Sequence, residues 1–528
     1  MKDVGGWGTC EHADVPATVT LSPDPLTPAQ VVAVARKGAR VAVGADVAPS
    51  VAPARRVVED AIATEAVVYG LTTGFGALAD TRVDRDEAVA LQEALVRSHA
   101  AGMGDPIDDE VVRAMALLRA RTLAAGRSGV RPEVIDALAA LLNSGVRVVV
   151  PEHGSLGASG DLAPMAHVAL ALLGEGWARD AHGAVVDASP LLRTEGLVPL
   201  HLDVKDGLSL LNATEGMLGM LVLAVEDLHA LADAADVACA LSIEALLGTD
   251  RPFAQDLQEL RPHPGQAASA ANLRELLAGS RILAGHRHSR HAVQDAYSLR
   301  CAPQVHGAVR DTIDWAAAVR DRELAAVVDN PVVIPRGDGW VVESTGNFHG
   351  QPLAFAMDLL AMGAAELGSI SERRTDRLLD PARSHGLPPF LAPAAGVNSG
   401  FMLAQYTAAS MVAENRRLAV PAGTDSIPTS GMQEDHVSLG WSAGMKLRRA
   451  IRNLAGIIGI EALVAAQGVE LRAAAVGEQP SDRTASVVRR IRADVPAMER
   501  DRFLAPDLAT ARELVTSGAL VAAAGLEG

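Results

Sequence analysis

The chain has 528 residues, enough to bury a large core, and length alone allows about two to four domains. Its 47 Lys and Arg against 64 Asp and Glu leave a formal charge of −17, which excludes a nucleic-acid backbone or an anionic membrane as the main partner. Hydrophobic residues at 49% and charged residues at 21% exclude a disordered or fibrous chain. Aromatics make up only 3%, so the core must be packed with Ala, Leu, Val and Ile. Three cysteines, Cys10, Cys239 and Cys301, lie far apart with no CxxC pair, which excludes a disulfide framework and a cysteine zinc site and fits a reducing cytoplasm.

In chain order, residues 1–26 carry no apolar signal segment and are expected to form a loose tail. Thr27 and Pro28 read as an N-cap followed by proline at the first helical position. From there to 215 short apolar runs (AVVYG, 66–70; VRVVVPEHG, 146–154) alternate with amphipathic helices and glycine-rich loops, predicting an α+β region. Residues 216–480 carry apolar side chains at helical spacing over long stretches, notably 215–248 and 437–475, and predict a bundle of long helices that closes by subunit association. The apolar run GMLGMLVLAV ends at Glu226 and Asp227, short of the roughly 18 residues of a membrane span. Residues 481–528 predict a further helical segment. The fold class is therefore mainly α.

Chemistry is expected in the loops between these helices: YGLTTGFG (69–76), HGSLGASGDLAP (153–164), VQDAYSLRCAPQ (293–304), STGNFHGQP (344–352) and SGMQEDHVS (430–438). Neither Ser155 nor Ser159 has both glycines of a G-x-S-x-G elbow. No GxGxxG or GK[ST] pattern is present in the first of these loops. HRHSRH (286–291) and His436 lack metal-ligand spacing, so no metal is expected. Ala158-Ser159-Gly160 offers something else. Attack of the Gly160 nitrogen on the Ala158 carbonyl, with loss of two waters, would leave Ser159 as a dehydroalanine within a five-membered ring, and glycine suits the attacking position.

GSLGASGDLAPMAH resembles the signature of the aromatic amino acid ammonia-lyases that carry a 4-methylidene-imidazol-5-one (MIO) group made in this way. The resemblance runs from about 27 to 475. YGLTTGFG, SHAAGMG (98–104), GLSLLNATEG (207–216), RPHPGQ (261–266), VQDAYSLRCAPQ, VVDNP (327–331), GNFHGQP and QEDHVS follow in the family's order. QEDHVS and the Ser98-His99 pair are similar to the histidine branch, and the chain has no room for the extra domain of the plant phenylalanine enzymes. NATEG departs from the NGT usual in that branch.

The resemblance implies an ammonia-lyase/fumarase-like helical core and elimination of ammonia from L-histidine to trans-urocanate, the first step of histidine degradation. It implies MIO from Ala158, Ser159 and Gly160 as the only cofactor. Tyr69 would take the β-proton, and Tyr297, Gln294 and Asn212 would line the amine and the electrophile. Arg300 would clamp the carboxylate, Phe348 would pack on the ring or the substrate, and His99 and Glu434 would read the imidazole. It further implies a cytoplasmic homotetramer with three subunits at each site, and helix N-termini aimed at that site. The alternatives are another MIO enzyme, namely a tyrosine or phenylalanine ammonia-lyase or an aminomutase, and a non-catalytic helical paralogue. Tyr406, in FMLAQYTAASMVAE, is expected to be structural.

Overall fold

The structure, a computed structural model, describes residues 16–64, 85–287 and 293–526. Regular structure is present before residue 27. Strand β1 (Thr18–Leu21) pairs in parallel with β2 (Arg40–Val43), in register Thr18 to Arg40, across helix α1 (Pro28–Arg36). The expected loose tail through 26 is corrected accordingly: Val19 and Leu21 alternate inward and are fully buried, so the TVTL pattern is a half-buried strand. Thr27 caps α1 as expected, in a reciprocal box with Gln30.

Helices α2 (Val47–Ala63) and α3 (Arg85–His99) follow, then β3 (Met103–Pro106), α4 (Asp109–Ala124), α5 (Pro132–Ser144), β4 (Arg147–Val148), β5 (Pro151–His153) and α6 (Leu162–Leu172). Short strands β6 (Trp177–Arg179) and β7 (Val185–Asp187) and helices α7 (Ala188–Thr194) and α8 (Asp206–Leu211) complete the N-terminal part. Its sheets are small: β3 pairs with β5, and β4, β6 and β7 form an antiparallel trio.

Helix α9 (Glu215–Ala245) is the axis of the molecule. Its apolar residues surround the helix rather than striping it, and such a helix is stable only when enclosed. Short helices α10 (Gln255–Gln258), α11 (Pro264–Leu277), α12 (Arg281–His286) and α13 (Tyr297–Arg300) lead to α14 (Ala302–Ala325). After the hairpin β8 (Val332–Arg336) and β9 (Gly339–Glu343) come α15 (Gln351–Leu379), α16 (Met402–Leu418) and α17 (Gly440–Val476). Helices α4, α14, α15 and α17 enclose α9, and small residues let the axes approach. A Cβ on Gly444 would press on Met220 and Met357, and one on Gly468 on Ala245. The C-terminal helices α18 (Asp482–Asp494), α19 (Ala505–Thr516) and α20 (Ala519–Ala524) close the bundle, with α19 lying on α17 at Gly459.

Among the described residues three helical segments, 206–245, 351–379 and 440–476, are long and apolar enough to cross a membrane by length and composition, although the sequence shows no unbroken apolar run of that length. Here their apolar windows face one another: the first is entirely buried and the third largely so. The 351–379 window is the least covered, with Phe355, Leu359 and Met362 exposed. Tyr406 lies on α16 but is 62% exposed, so within one chain it is not a core residue.

Candidate active site

The loop 154–160 leaves β5 and is met by the starts of four helices. The Asp161 N–H donates to the Ala213 carbonyl (2.6 Å), and α6 begins one residue later. From the start of α9, the Met217 N–H donates to Asp161 Oδ2 (2.9 Å). Just before α15, the Gly350 N–H donates to the Gly157 carbonyl (3.3 Å). Before α17, the Leu439 N–H reaches the Leu156 carbonyl (2.8 Å) and Ser438 Oγ the Gly157 carbonyl (2.9 Å). Four helices thus begin against this loop, and the partial positive charge of a helix N-terminus favours negative charge beside it.

The Ala158-Ser159-Gly160 segment fits the ring-forming role on steric grounds. Gly160 has φ +77 and no space for a Cβ, which would penetrate the Ala213 carbonyl. Ala158 and Gly160 are buried while Ser159 is partly open. Ala213, where the sequence departs from the family's usual glycine, thus presses its backbone on the triad itself. Asn212, beside it, donates from Nδ2 to the Asn330 carbonyl (2.8 Å), and Asn330 Oδ1 accepts from the Thr345 N–H (3.0 Å). The turn is anchored below by fully buried Lys205, whose Nζ donates to Asp329 (2.8 Å) and Ser209 (2.7 Å).

Glu434 enters from the opposite side. Ser159 Oγ donates to Glu434 Oε1 at 3.1 Å, and Thr429 Oγ1 holds Oε2 at 3.0 Å. Ser430 and Met432 between them adopt positive φ (52° and 73°), backbone strain of the kind that collects at functional sites. His99 ends α3, its Nδ1 3.1 Å from Ser98 Oγ. Burial lowers its pKa, while the Leu95 carbonyl and the nearby charge of Glu434 oppose the shift. Phe348 is half-buried in the loop before Gly350, beside His349, whose ring stacks on that of His436 (5.7 Å, 3°).

The loop 154–160, Glu434, His99 and the backbone segments that carry Asn212 and Phe348 therefore meet. Gln294, Tyr297 and Arg300 do not. Arg300 lies over the Tyr297 ring (4.6 Å) and donates to the Asp295 carbonyl (3.0 Å), and Tyr297 is 71% exposed. The Ser298 carbonyl accepts from Arg374, which pairs with Glu461, which in turn accepts from Ser242 near the end of α9. The Asp161 contact is at Met217, so at 1.5 Å per residue the two groups are separated by roughly 37 Å along α9. Tyr69 lies outside the described residues.

Three further residues of the site have no role in the sequence reading, where Ser155 enters only as a nucleophile that fails on spacing. Asp161 is fully buried, accepts from Ser155 Oγ (2.8 Å) and the Met217 N–H, and is pushed up to about 7 by burial against the pull of those bonds. Ser155 also holds the Gly157 N–H (3.1 Å), and Ser438 pins the same residue from α17. All stand inside quoted motifs. A polar residue fixed amid apolar neighbours, as Asp161 is between Gly160 and Leu162, was the available signal.

The aromatic amino acid lyase family model matches residues 26–493. The chain belongs to the aromatic amino acid lyase family. The lyase is 54% identical over 508 residues to a histidine ammonia-lyase of Streptomyces avermitilis, covering 96% of this chain and 98% of that one. Among solved structures it is similar to histidine ammonia-lyase from Trypanosoma cruzi, with TM-score 0.87, 38% identity, and coverage of 96% of this chain and 95% of that one. Tyrosine aminomutase from Streptomyces globisporus is as similar, with TM-score 0.88, 38% identity and 96% and 98% coverage. The lyase thus shares a full-length fold with enzymes of more than one substrate, and its own side chains must decide between them.

Proposed function

We propose that this lyase eliminates ammonia from L-histidine to give trans-urocanate, in the cytoplasm, as the first step of histidine degradation. The observation that carries the reading is the Ser159 to Glu434 contact at 3.1 Å. A carboxylate within hydrogen-bond reach of the reacting serine can accept from an imidazole N–H, whereas a phenyl ring would leave it unpaired in a partly closed site. His99, close enough to feel the Glu434 charge, supplies a second polar reader.

Ala158, Ser159 and Gly160 form the MIO group in this reading, and that group supplies an electrophile that makes the amine a better leaving group. Asn212 and Phe348 border it. Tyr69 Oη takes the β-proton, a general-base contribution typically of about 10²–10⁴-fold. Arg300 clamps the carboxylate by a two-point fork, and Tyr297 and Gln294 face the amine. In one chain that trio is held far from Ser159, so its contribution comes from a neighbouring subunit. The exposed apolar side chains Phe355, Leu359 and Met362 of α15 and Leu403 and Tyr406 of α16 suit burial in a homotetramer.

Incubation of the purified lyase with L-histidine, L-tyrosine and L-phenylalanine, followed by product absorbance and chromatography, tests the reading. Urocanate from histidine is expected. Turnover of tyrosine to β-tyrosine with none of histidine would establish an aminomutase instead, since a phenol can also donate to Glu434.

A further inference from the structure

We propose that His167 is a positioning residue for His99: by holding the Gly102 N–H it sets where the α3 terminus stands relative to Ser159 and Glu434. This rests on the reading of histidine as substrate. His167 is 5% exposed in the second turn of α6, the helix that begins immediately after the reactive loop. Its Nε2 lies 3.1 Å from the Gly102 N–H, three residues beyond His99. A backbone N–H can only donate, so Nε2 must be unprotonated and the ring carries its proton on Nδ1. Burial lowers the pKa of His167 and favours this neutral form. The Trp177 indole stacks on the imidazole (5.9 Å, 25°) and fixes its plane.

The contact has little slack. A Cβ on Gly102 would come to 3.0 Å from His167 Nε2, 3.1 Å from the His153 carbonyl and 3.2 Å from Pro151 Cβ. One on Gly154 would come to 2.9 Å from Ala163 and 3.2 Å from the Gly102 Cα. Backbone at 102, backbone at 154 and helix α6 therefore meet without an intervening side chain. Met103 pairs with His153 in the β3 to β5 ladder, so the segment leaving His99 and the segment entering the reactive loop are adjacent strands. His167 spans them from α6. It touches neither Ser159 nor Glu434 in any contact described, and acts through the backbone.

Three variants test this. His167→Phe keeps the ring volume and the stack on Trp177 but has no acceptor. His167→Asn keeps an amide too short to reach Gly102, and His167→Gln carries an acceptor at about the depth of Nε2. For Phe and Asn, KM for L-histidine is expected to rise about tenfold, the cost of one buried hydrogen bond. Their kcat should stay within about threefold and their intact mass should match wild type, since the ring-forming triad is untouched. Gln is expected to restore KM. Asn carries the test if Phe does not fold. Unchanged KM in the folded variants would overturn the inference, and so would kcat and thermal stability falling together with no rescue by Gln, which marks a purely structural histidine. Absence of urocanate from the wild type would remove the substrate reading and this inference with it, an outcome distinct from wild-type turnover with unaltered variants.

Discussion

The contact between Ser159 and Glu434 makes Glu434 the first residue to test. Glu434→Gln keeps the shape but removes the charge from the acceptor, and kcat/KM for histidine is expected to fall about 10- to 100-fold, the weight of a hydrogen bond to an ionised group. Steady-state kinetics check it, and the loss should be smaller for any phenylalanine turnover. Asp161 carries a pH signature. Its folded pKa, about 7 against an ordinary 3.8, is raised, so its favourable contribution is complete below 3.8 and is lost progressively as pH rises from there to about 7. Asp161→Asn cannot ionise. The melting temperature of the variant relative to wild type is therefore expected to increase between about pH 4 and 7 and to level off above that, and a constant difference would contradict the assignment. Much of this chemistry was legible because it is local: Ala158, Ser159 and Gly160 are contiguous, and the glycine-bounded motifs lie in loops. Asp161 and His167 were not, because their roles are set by burial and by partners 56 and 65 positions away.

At the scale of elements, the long helices could be read from sequence because α9 and the 454–469 stretch of α17 are buried almost all round, a pattern with one stable solution. The hairpin β8 to β9 could not. It interrupts the helical region yet packs on the N-terminal part, with Val333 buried against Ala54 and Val58 of α2 and its N–H donating to the Arg127 carbonyl (2.7 Å); a five-residue strand in a turn-rich segment gives no hint of so distant a partner. The bundle also buries a polar network that amphipathic patterns do not reveal. Asp236 of α9 accepts from His306 (2.7 Å), Arg310 (2.7 Å) and Ser269 (2.6 Å), and Arg374 bridges His306 and Glu461. Arg374 must donate to His306 Nε2, so His306 is neutral, consistent with a pKa lowered by burial. Removing one partner strands a buried charge: Arg374→Met is expected to cost about 3–5 kcal/mol of stability, read from denaturant unfolding. A loss under 1 kcal/mol would show that the network is not a support.

For the whole molecule the decisive feature is separation. Tyr297 and Arg300 stand roughly 37 Å along α9 from the reactive loop, a separation that agrees with the three subunits per site implied by the resemblance and that no spacing in the sequence shows. If neighbouring subunits supply them, Ser159→Ala and Arg300→Met chains, each inactive alone, are expected to form mixed oligomers that regain a fraction of wild-type activity on co-expression. Sites built within one chain would stay dead in every mixture. The account as a whole is tested most directly by assaying urocanate formation from L-histidine with wild type and Ser159→Ala side by side, each with its melting curve. The expected result is turnover by the wild type and none by the variant, with coincident melting. No urocanate from the wild type, or full activity in the variant, would contradict it.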